Sequence, residues 1–106
     1  MGNLEEGLAA FDAQEYHRAF TVLKPLAEQG IAEAQCCIGC IYQFGFGREI
    51  DVHAAIYWHK LASAQGYGPS SDNLGSIFTF GWEDVPEDRE KGREYYALAR
   101  DQGCVF

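Results

Sequence analysis

The sequence predicts an all-α protein, a right-handed α-solenoid of three antiparallel helix pairs. Three observations predict it. A helix–turn–helix outline between Ala34 and Gly66 returns further along the chain, with Gly39, Tyr42 and Gly45 matched 36 residues on by Gly75, Phe78 and Gly81. Gly30, Gly66 and Gly103, each at the end of a predicted helix, are spaced by 36 and 37. Within each unit the apolar residues fall on one face of a 3.6-residue helix. A period of this length marks stacked helical hairpins, each burying a face on its neighbour. The 106 residues form one domain, 1–106, with repeats at about 1–30, 31–66 and 67–103.

The first helix spans residues 3–12. Asn3 is its predicted cap, and Glu5 and Glu6 lie in a first turn that favours negative charge. The second runs from about Glu15 to Gln29, with Ala19, Phe20, Leu23, Leu26 and Ala27 on its apolar face. Pro25 cannot bond to the carbonyl of Thr21, and a kink is expected there. This first hairpin lacks the long glycine turn, as terminal repeats commonly do. In the central unit Ala34, Ile38, Ile41, Tyr42 and Gly45 make the buried stripe of one helix, and Ala55, Trp58, Leu61 and Ala62 that of the next. Gly39 leaves room for a close helix. Gly45 and Gly47 allow the turn, Asp51 caps the second helix, and Gly66 ends it. In the third unit the first helix starts near Pro69 and carries Leu74, Gly75, Ile77, Phe78 and Phe80. Its turn has Gly81 but places Glu83 at the second glycine position. The last helix, about Glu87 to Asp101, carries Tyr95, Leu98 and Ala99. Gly92 stands where alanine is expected, at a cost of about 1 kcal/mol. Cys104, Val105 and Phe106 follow with no polar capping helix, so this end is expected to be open to self-association.

Ala32, Ala34, Gln35, Ile38, Gly39, Tyr42, Gly45 and Gly47, followed by Asp51, Ala55, Trp58, Ala62 and Gly66, carry a family resemblance. In this pattern the chain resembles the Sel-one-like repeat proteins, relatives of the tetratricopeptide repeats, with Ile38 in place of the usual leucine. The resemblance implies a shared architecture and not a shared chemistry. It also implies a concave groove lined by the first helices. By helical spacing the groove face carries Glu33, Cys36, Cys40, Gln43 and Phe44 in the second repeat. The third repeat adds Asp72, Ser76, Thr79 and Phe80, with Pro69 at its start. A mixed surface of this kind, without a basic clamp, suits an extended peptide or loop.

Hydrophobic residues make up 47% of the chain and aromatics 14%, enough to fold. No apolar run approaches the roughly 20 residues that span a bilayer. The start MGNLEEGLAA is acidic and does not read as a secretory signal, so a cytoplasmic protein is expected. The net charge of −8 makes nucleic acid and anionic membrane poor partners and a basic protein segment a better one. The same charge also serves solubility.

Cys37 and Cys40 form a CxxC next to Cys36. It lies within a helix rather than at the helix N-terminus that a redox motif needs, and Cys104 is far away, so four zinc ligands are not clustered. Small packing residues are the expected role, with a metal or redox protein using Cys36, Cys37 and Cys40 as the alternative. No cofactor, metal or catalytic residue is predicted. His17, His53 and His59 have no triad partners and are expected to be surface or partly packed residues. The acidic stretch of Glu83, Asp84, Glu87, Asp88, Glu90 and Glu94 is either a solvated face or a docking patch for Lys and Arg, and it lacks calcium-loop spacing. These readings converge on a non-enzymatic interaction module or adaptor. The alternative is a small acidic immunity-type inhibitor of a basic toxin or enzyme.

Overall fold

The structure is a computed structural model that describes residues 3–104. It holds six helices: α1 (Leu4–Asp12), α2 (Tyr16–Glu28), α3 (Ala32–Phe44), α4 (Val52–Ala64), α5 (Gly68–Phe80) and α6 (Arg89–Asp101). Among the described residues the only β-type pairing is an isolated bridge between Trp82 and Val85. Consecutive helices pack as the hairpins α1/α2, α3/α4 and α5/α6, which stack into an elongated solenoid of 42 × 28 × 22 Å. Val105 and Phe106, placed at the open end by the sequence reading, lie outside the described residues.

The two predicted caps form: Asn3 accepts from the Glu6 amide at 2.8 Å and Asp51 from Ala54 at 3.1 Å. Asp88, read as part of the last helix, instead caps it by accepting from Lys91 at 3.1 Å; each fills an amide that the helix leaves unpaired. α2 carries on through Pro25 to Glu28, so the proline removes one bond near the helix end and does not stop the helix. The two long turns close in the same way. The amide of Asp51 bonds to the carbonyl of Tyr42 at 2.9 Å, and that of Asp88 to Phe78 at 2.6 Å. Gly45 makes its turn in the left-handed region, φ 71°, ψ 40°. Glu83 adopts φ 51° at the place of Gly47, so the positive φ at this position survives the substitution, although the third turn takes its own path, with Gly81 at ψ 155° and the Trp82–Val85 bridge.

Each hairpin has a crossing point at a glycine. A Cβ on Gly7 would meet Leu23 Cγ at 2.6 Å, one on Gly39 the His59 ring at 2.8 Å and one on Gly75 the Tyr96 ring within 2.9 Å. Gly92 makes the reciprocal approach from α6, where a Cβ would lie 2.8 Å from the Thr79 backbone nitrogen and 3.0 Å from the Gly75 carbonyl oxygen. This corrects the reading of Gly92 as a weak alanine site. Helix propensity alone predicts a gain of about 1 kcal/mol for Gly92→Ala. The packing predicts a loss of about 1–3 kcal/mol, because the obstructing atoms are backbone. A chemical-denaturation midpoint above that of the parent would show that α5 and α6 are less closely packed than this.

Two apolar clusters make the core. Ala10, Ala19, Leu23, Ala27, Ala34, Ile38, Ile41 and Trp58 join the first and second hairpins. Val52, Leu74, Ile77, Phe78 and Val85 join the second and third. A polar seam of His59, Gln43, Ser63, Ser70 and Ser71, all buried, runs beside the second cluster. His59 Nδ1 lies 3.1 Å from Ser70 Oγ and His59 Nε2 lies 3.0 Å from Gln43 Oε1. Ser63 and Ser71 are 2.6 Å apart, and Gln102 bonds to both, accepting from Ser71 Oγ and donating to the Ser63 carbonyl. Among the described residues no buried side-chain nitrogen or oxygen lacks a partner. His59, expected at the surface or partly packed, is in fact fully buried. Leu61 is corrected in the other direction: it is 37% exposed. It trails Ala62 by about 100° on the helix, outside the arc that α3 and α5 cover.

Candidate partner-binding surface

The first-helix face is built by the 36-residue step between α3 and α5. Glu33 is exposed at the start of α3, Cys40 is half-buried one turn before its end, and Phe44 is 42% exposed at its last residue. One repeat on, Asp72 and Ser76 are half-buried and Phe80 is 71% exposed. Ser76 Oγ shares a 2.8 Å hydrogen bond with the Tyr96 hydroxyl. Thr79 is half-buried, packed against Gly92. Burial holds the Asp72 carboxyl above the usual carboxylate value.

Two predicted groove residues lie inside the protein. Gln43 is 1% exposed, holds His59 through its side chain and accepts the Trp82 indole N–H at 3.0 Å through its carbonyl. Its position on the helix faces the third hairpin, which the pattern of one hairpin does not reveal. Cys36 is 8% exposed. Donation from Cys40, with smaller contributions from His59 and Ser70, lowers its thiol below the ordinary value against the opposing effect of burial. Cys40, as the donor in that contact and half-buried, is held above its ordinary value, and burial pushes Cys37 up to about 12. All four cysteines are free thiols. Cys37 and Cys40 are held protonated and so are weak nucleophiles, while Cys36 is largely closed off from solvent. Among the described residues no group of three or more His, Cys, Asp or Glu side chains stands together so that it could hold a metal ion.

The turns form a second feature that the sequence reading did not locate. A cleft of about 550 Å³ opens between them, lined by Tyr42, Arg48, Glu49, Asp51, His53, Glu83 and Asp84. Two segments of carboxylates that are remote in sequence meet there. Arg48 is held by aromatic faces, 3.7 Å from the Phe20 ring centroid and 5.5 Å from that of Tyr42. His53 Nε2 pairs with Asp84 at 3.0 Å, which raises the imidazole and lowers the carboxyl relative to their ordinary values. The pair's contribution is present below the ordinary histidine value and fades as pH rises through the elevated one. On the acid side, Asp84 keeps it until the pH falls through the depressed carboxyl value. Both groups are solvent-exposed, so the effect is local.

Beside the cleft runs a chain of rings that links all three hairpins. Phe11 meets Tyr16 edge-on, Tyr16 stacks on Phe46 at 4.4 Å, Phe46 on Phe44 at 5.4 Å, and Phe44 meets Trp82 edge-on at 5.6 Å.

This repeating geometry has a counterpart among known proteins. The family model for the Sel1 repeat matches residues 32–67 and 71–104. The chain belongs to the Sel1 repeat family. The two matched segments correspond to α3/α4 and α5/α6, and α1/α2 stacks on them as a further hairpin. A Sel1 repeat protein from Oxalobacter formigenes superposes with a TM-score of 0.82 at 28% identity, over 91% of this chain and 38% of that one. A protective antigen of uropathogenic Escherichia coli strains, which displays an SLR fold, superposes with a TM-score of 0.78 at 25% identity, over 82% of this chain and 19% of that one. The chain thus spans well under half the length of either neighbour. A comparison with curated proteins finds no significant match. Sel1 repeats are generally protein-interaction modules and typically non-enzymatic scaffolds. Among the described residues no helix is long and apolar enough to cross a membrane.

Proposed function

We propose that this Sel1 repeat chain is an adaptor that holds an extended segment of a partner protein on the surface of α3 and α5. The observation that carries this reading is the pairing of Phe44 and Phe80. These are two exposed aromatics at equivalent positions of successive repeats, on the face that also carries Glu33, Cys40, Asp72 and Ser76. Aromatics one repeat apart offer two pockets along a strand-like peptide. The half-buried Asp72, two turns before Phe80 on α5, favours a lysine or arginine on that peptide.

The acidic cleft at the turns supports a second reading, a small inhibitor that covers a basic surface through Glu49, Glu83 and Asp84. One pair of variants separates the two. A partner is first isolated on the immobilised protein and identified by mass spectrometry. Asp72→Lys and the combined Glu83→Gln/Asp84→Asn variant are then titrated against it at low and moderate salt. Asp72→Lys is expected to weaken binding about tenfold, with a slower on-rate, and its folding is checked by circular dichroism because the position is half-buried. Undiminished binding by a folded Asp72→Lys protein counts against the α3/α5 surface. A loss confined to Glu83→Gln/Asp84→Asn favours the inhibitor reading.

A further inference from the structure

The second helices of the three hairpins carry one stripe in the same register, the stripe that meets the next hairpin. On α2 it is Tyr16, Phe20, Leu23 and Ala27; on α4 it is Val52, Ile56, His59 and Ser63; on α6 it is Arg89, Arg93, Tyr96 and Arg100. The first two stripes are covered by the first helix and turn of the hairpin that follows. Leu23 and His59 are fully buried, Val52 is 3% exposed, and Tyr16 stacks on Phe46. On α6 the three arginines are exposed. From the sequence this end is expected to lack a polar capping helix and to be open to self-association; the stripe here has changed from apolar to basic, which disfavours stacking of another apolar hairpin or of a second copy of the same face. Three of the chain's eight Lys and Arg side chains fall on this one stripe, in a protein of net charge −8.

Two further observations say what fits there. Arg89 is paired with Glu87 at 3.0 Å, but Arg93 and Arg100 have no carboxylate partner among the described residues. Among the described residues Phe80 has no ring contact like its counterpart's. Phe44 is sandwiched by Phe46 and by Trp82 of the next hairpin, whereas Phe80 is 71% exposed at the edge of a cleft of about 310 Å³ shared with Thr79, Arg89, Arg93 and Tyr96.

We propose that the outer face of α6 docks an acidic helix of a partner protein, laid across α6 as α5 lies across α4. Carboxylates two turns apart, about 10.5 Å, meet Arg93 and Arg100, and an aromatic side chain completes the contact on Phe80 that Trp82 supplies to Phe44. A helix is favoured over an extended polyanion because the stripe is one helix wide. Glu90, Glu94 and Asp101 flank it on its solvent side and would oppose a DNA duplex or an anionic bilayer.

The test uses the whole chain and a fluorescent, alanine-rich helical peptide of about 20 residues, carrying Glu at positions i, i+4, i+7 and i+11 and one Phe at the end of that face. The same peptide with Lys for Glu, a short DNA duplex and phosphatidylserine vesicles are run beside it. The Glu peptide is expected to bind. Its Kd is expected to rise at least about tenfold for Arg93→Glu/Arg100→Glu and several-fold for Phe80→Ala, and the Lys peptide is expected to gain affinity for the charge-reversed variant. Asp72→Lys is expected to leave this binding unchanged; Phe80 borders both surfaces, so Asp72 on one side and Arg93 and Arg100 on the other separate this site from the α3/α5 surface. If circular dichroism shows that the charge-reversed variant has lost helix, Arg93→Gln/Arg100→Gln takes its place. Three results overturn the proposal: the Glu peptide binds no more tightly than the Lys peptide; it binds the arginine variants undiminished; or the duplex or vesicles bind more tightly than it does.

Discussion

Replacing Trp58 by alanine is expected to destabilise the protein by about 3–5 kcal/mol. Trp58 lies on α4 but is 9% exposed within the cluster formed by α1, α2 and α3, so one side chain joins the second hairpin to the first. Its removal takes away the largest member of that cluster and leaves a cavity. The surrounding residues are poorly able to fill it, because Ala10, Ala19, Ala27 and Ala34 have no side-chain length to extend. The lysine at position 24 also loses a ring face 5.7 Å away. A chain of this size has a total stability of roughly 5–15 kcal/mol, so the variant is expected to lose a large share of it and to unfold at a much lower denaturant concentration. Urea denaturation followed by circular dichroism measures it. A midpoint within error of the parent's would mean that Trp58 does not tie the hairpins together.

His59→Leu is expected to cost about as much for a different reason. Leucine removes both ring nitrogens and leaves Ser70 Oγ and Gln43 Oε1 without their partner in a buried site. Each orphaned group costs roughly 1–3 kcal/mol, so the total is roughly 2–6 kcal/mol. Replacing the partners as well, in His59→Leu/Gln43→Leu/Ser70→Ala, is expected to recover much of the loss, since no polar group is then left unpaired. The damage has a location. Ser70 belongs to α5, so amides of α5 and α6 are expected to exchange faster in His59→Leu than those of α1 to α3. A uniform change in exchange, or a triple variant less stable than the single one, would contradict this account.

The helices were legible in the sequence because their signals are local. Asn3 and Asp51 cap where a cap-type residue precedes an apolar period, and Gly45 turns where the period breaks. The seam was not legible, because its residues satisfy one another across hairpins. His59 meets Gln43 and Ser70 at separations of 16 and 11 residues, and a polar residue type gives no sign that a distant partner will enclose it. The groove reading failed at Gln43 and Cys36 for the same reason: a helix inside a solenoid is covered on two sides, and the spacing of one hairpin shows one. Gly92 was misjudged by propensity, which describes an isolated helix and not one pressed against the backbone of another. The basic stripe of α6 was visible in principle, by aligning Val52, Ile56, His59 and Ser63 with Arg89, Arg93, Tyr96 and Arg100. It needed the structure to show that this azimuth is the one each hairpin presents to the next.

The chain of rings from Phe11 to Trp82 has a spectroscopic consequence. The protein has two tryptophans, and they report on different places. Trp58 emits from the apolar cluster between the first two hairpins, while the Trp82 indole, in the turn of the third hairpin, bonded to the Gln43 carbonyl of the second and set against Phe44, emits from the contact between the second and third. Detachment of the last hairpin therefore exposes Trp82 to water and shifts its emission to the red while Trp58 stays dry. The protein carries its own pair of optical probes, one for each junction of the stack.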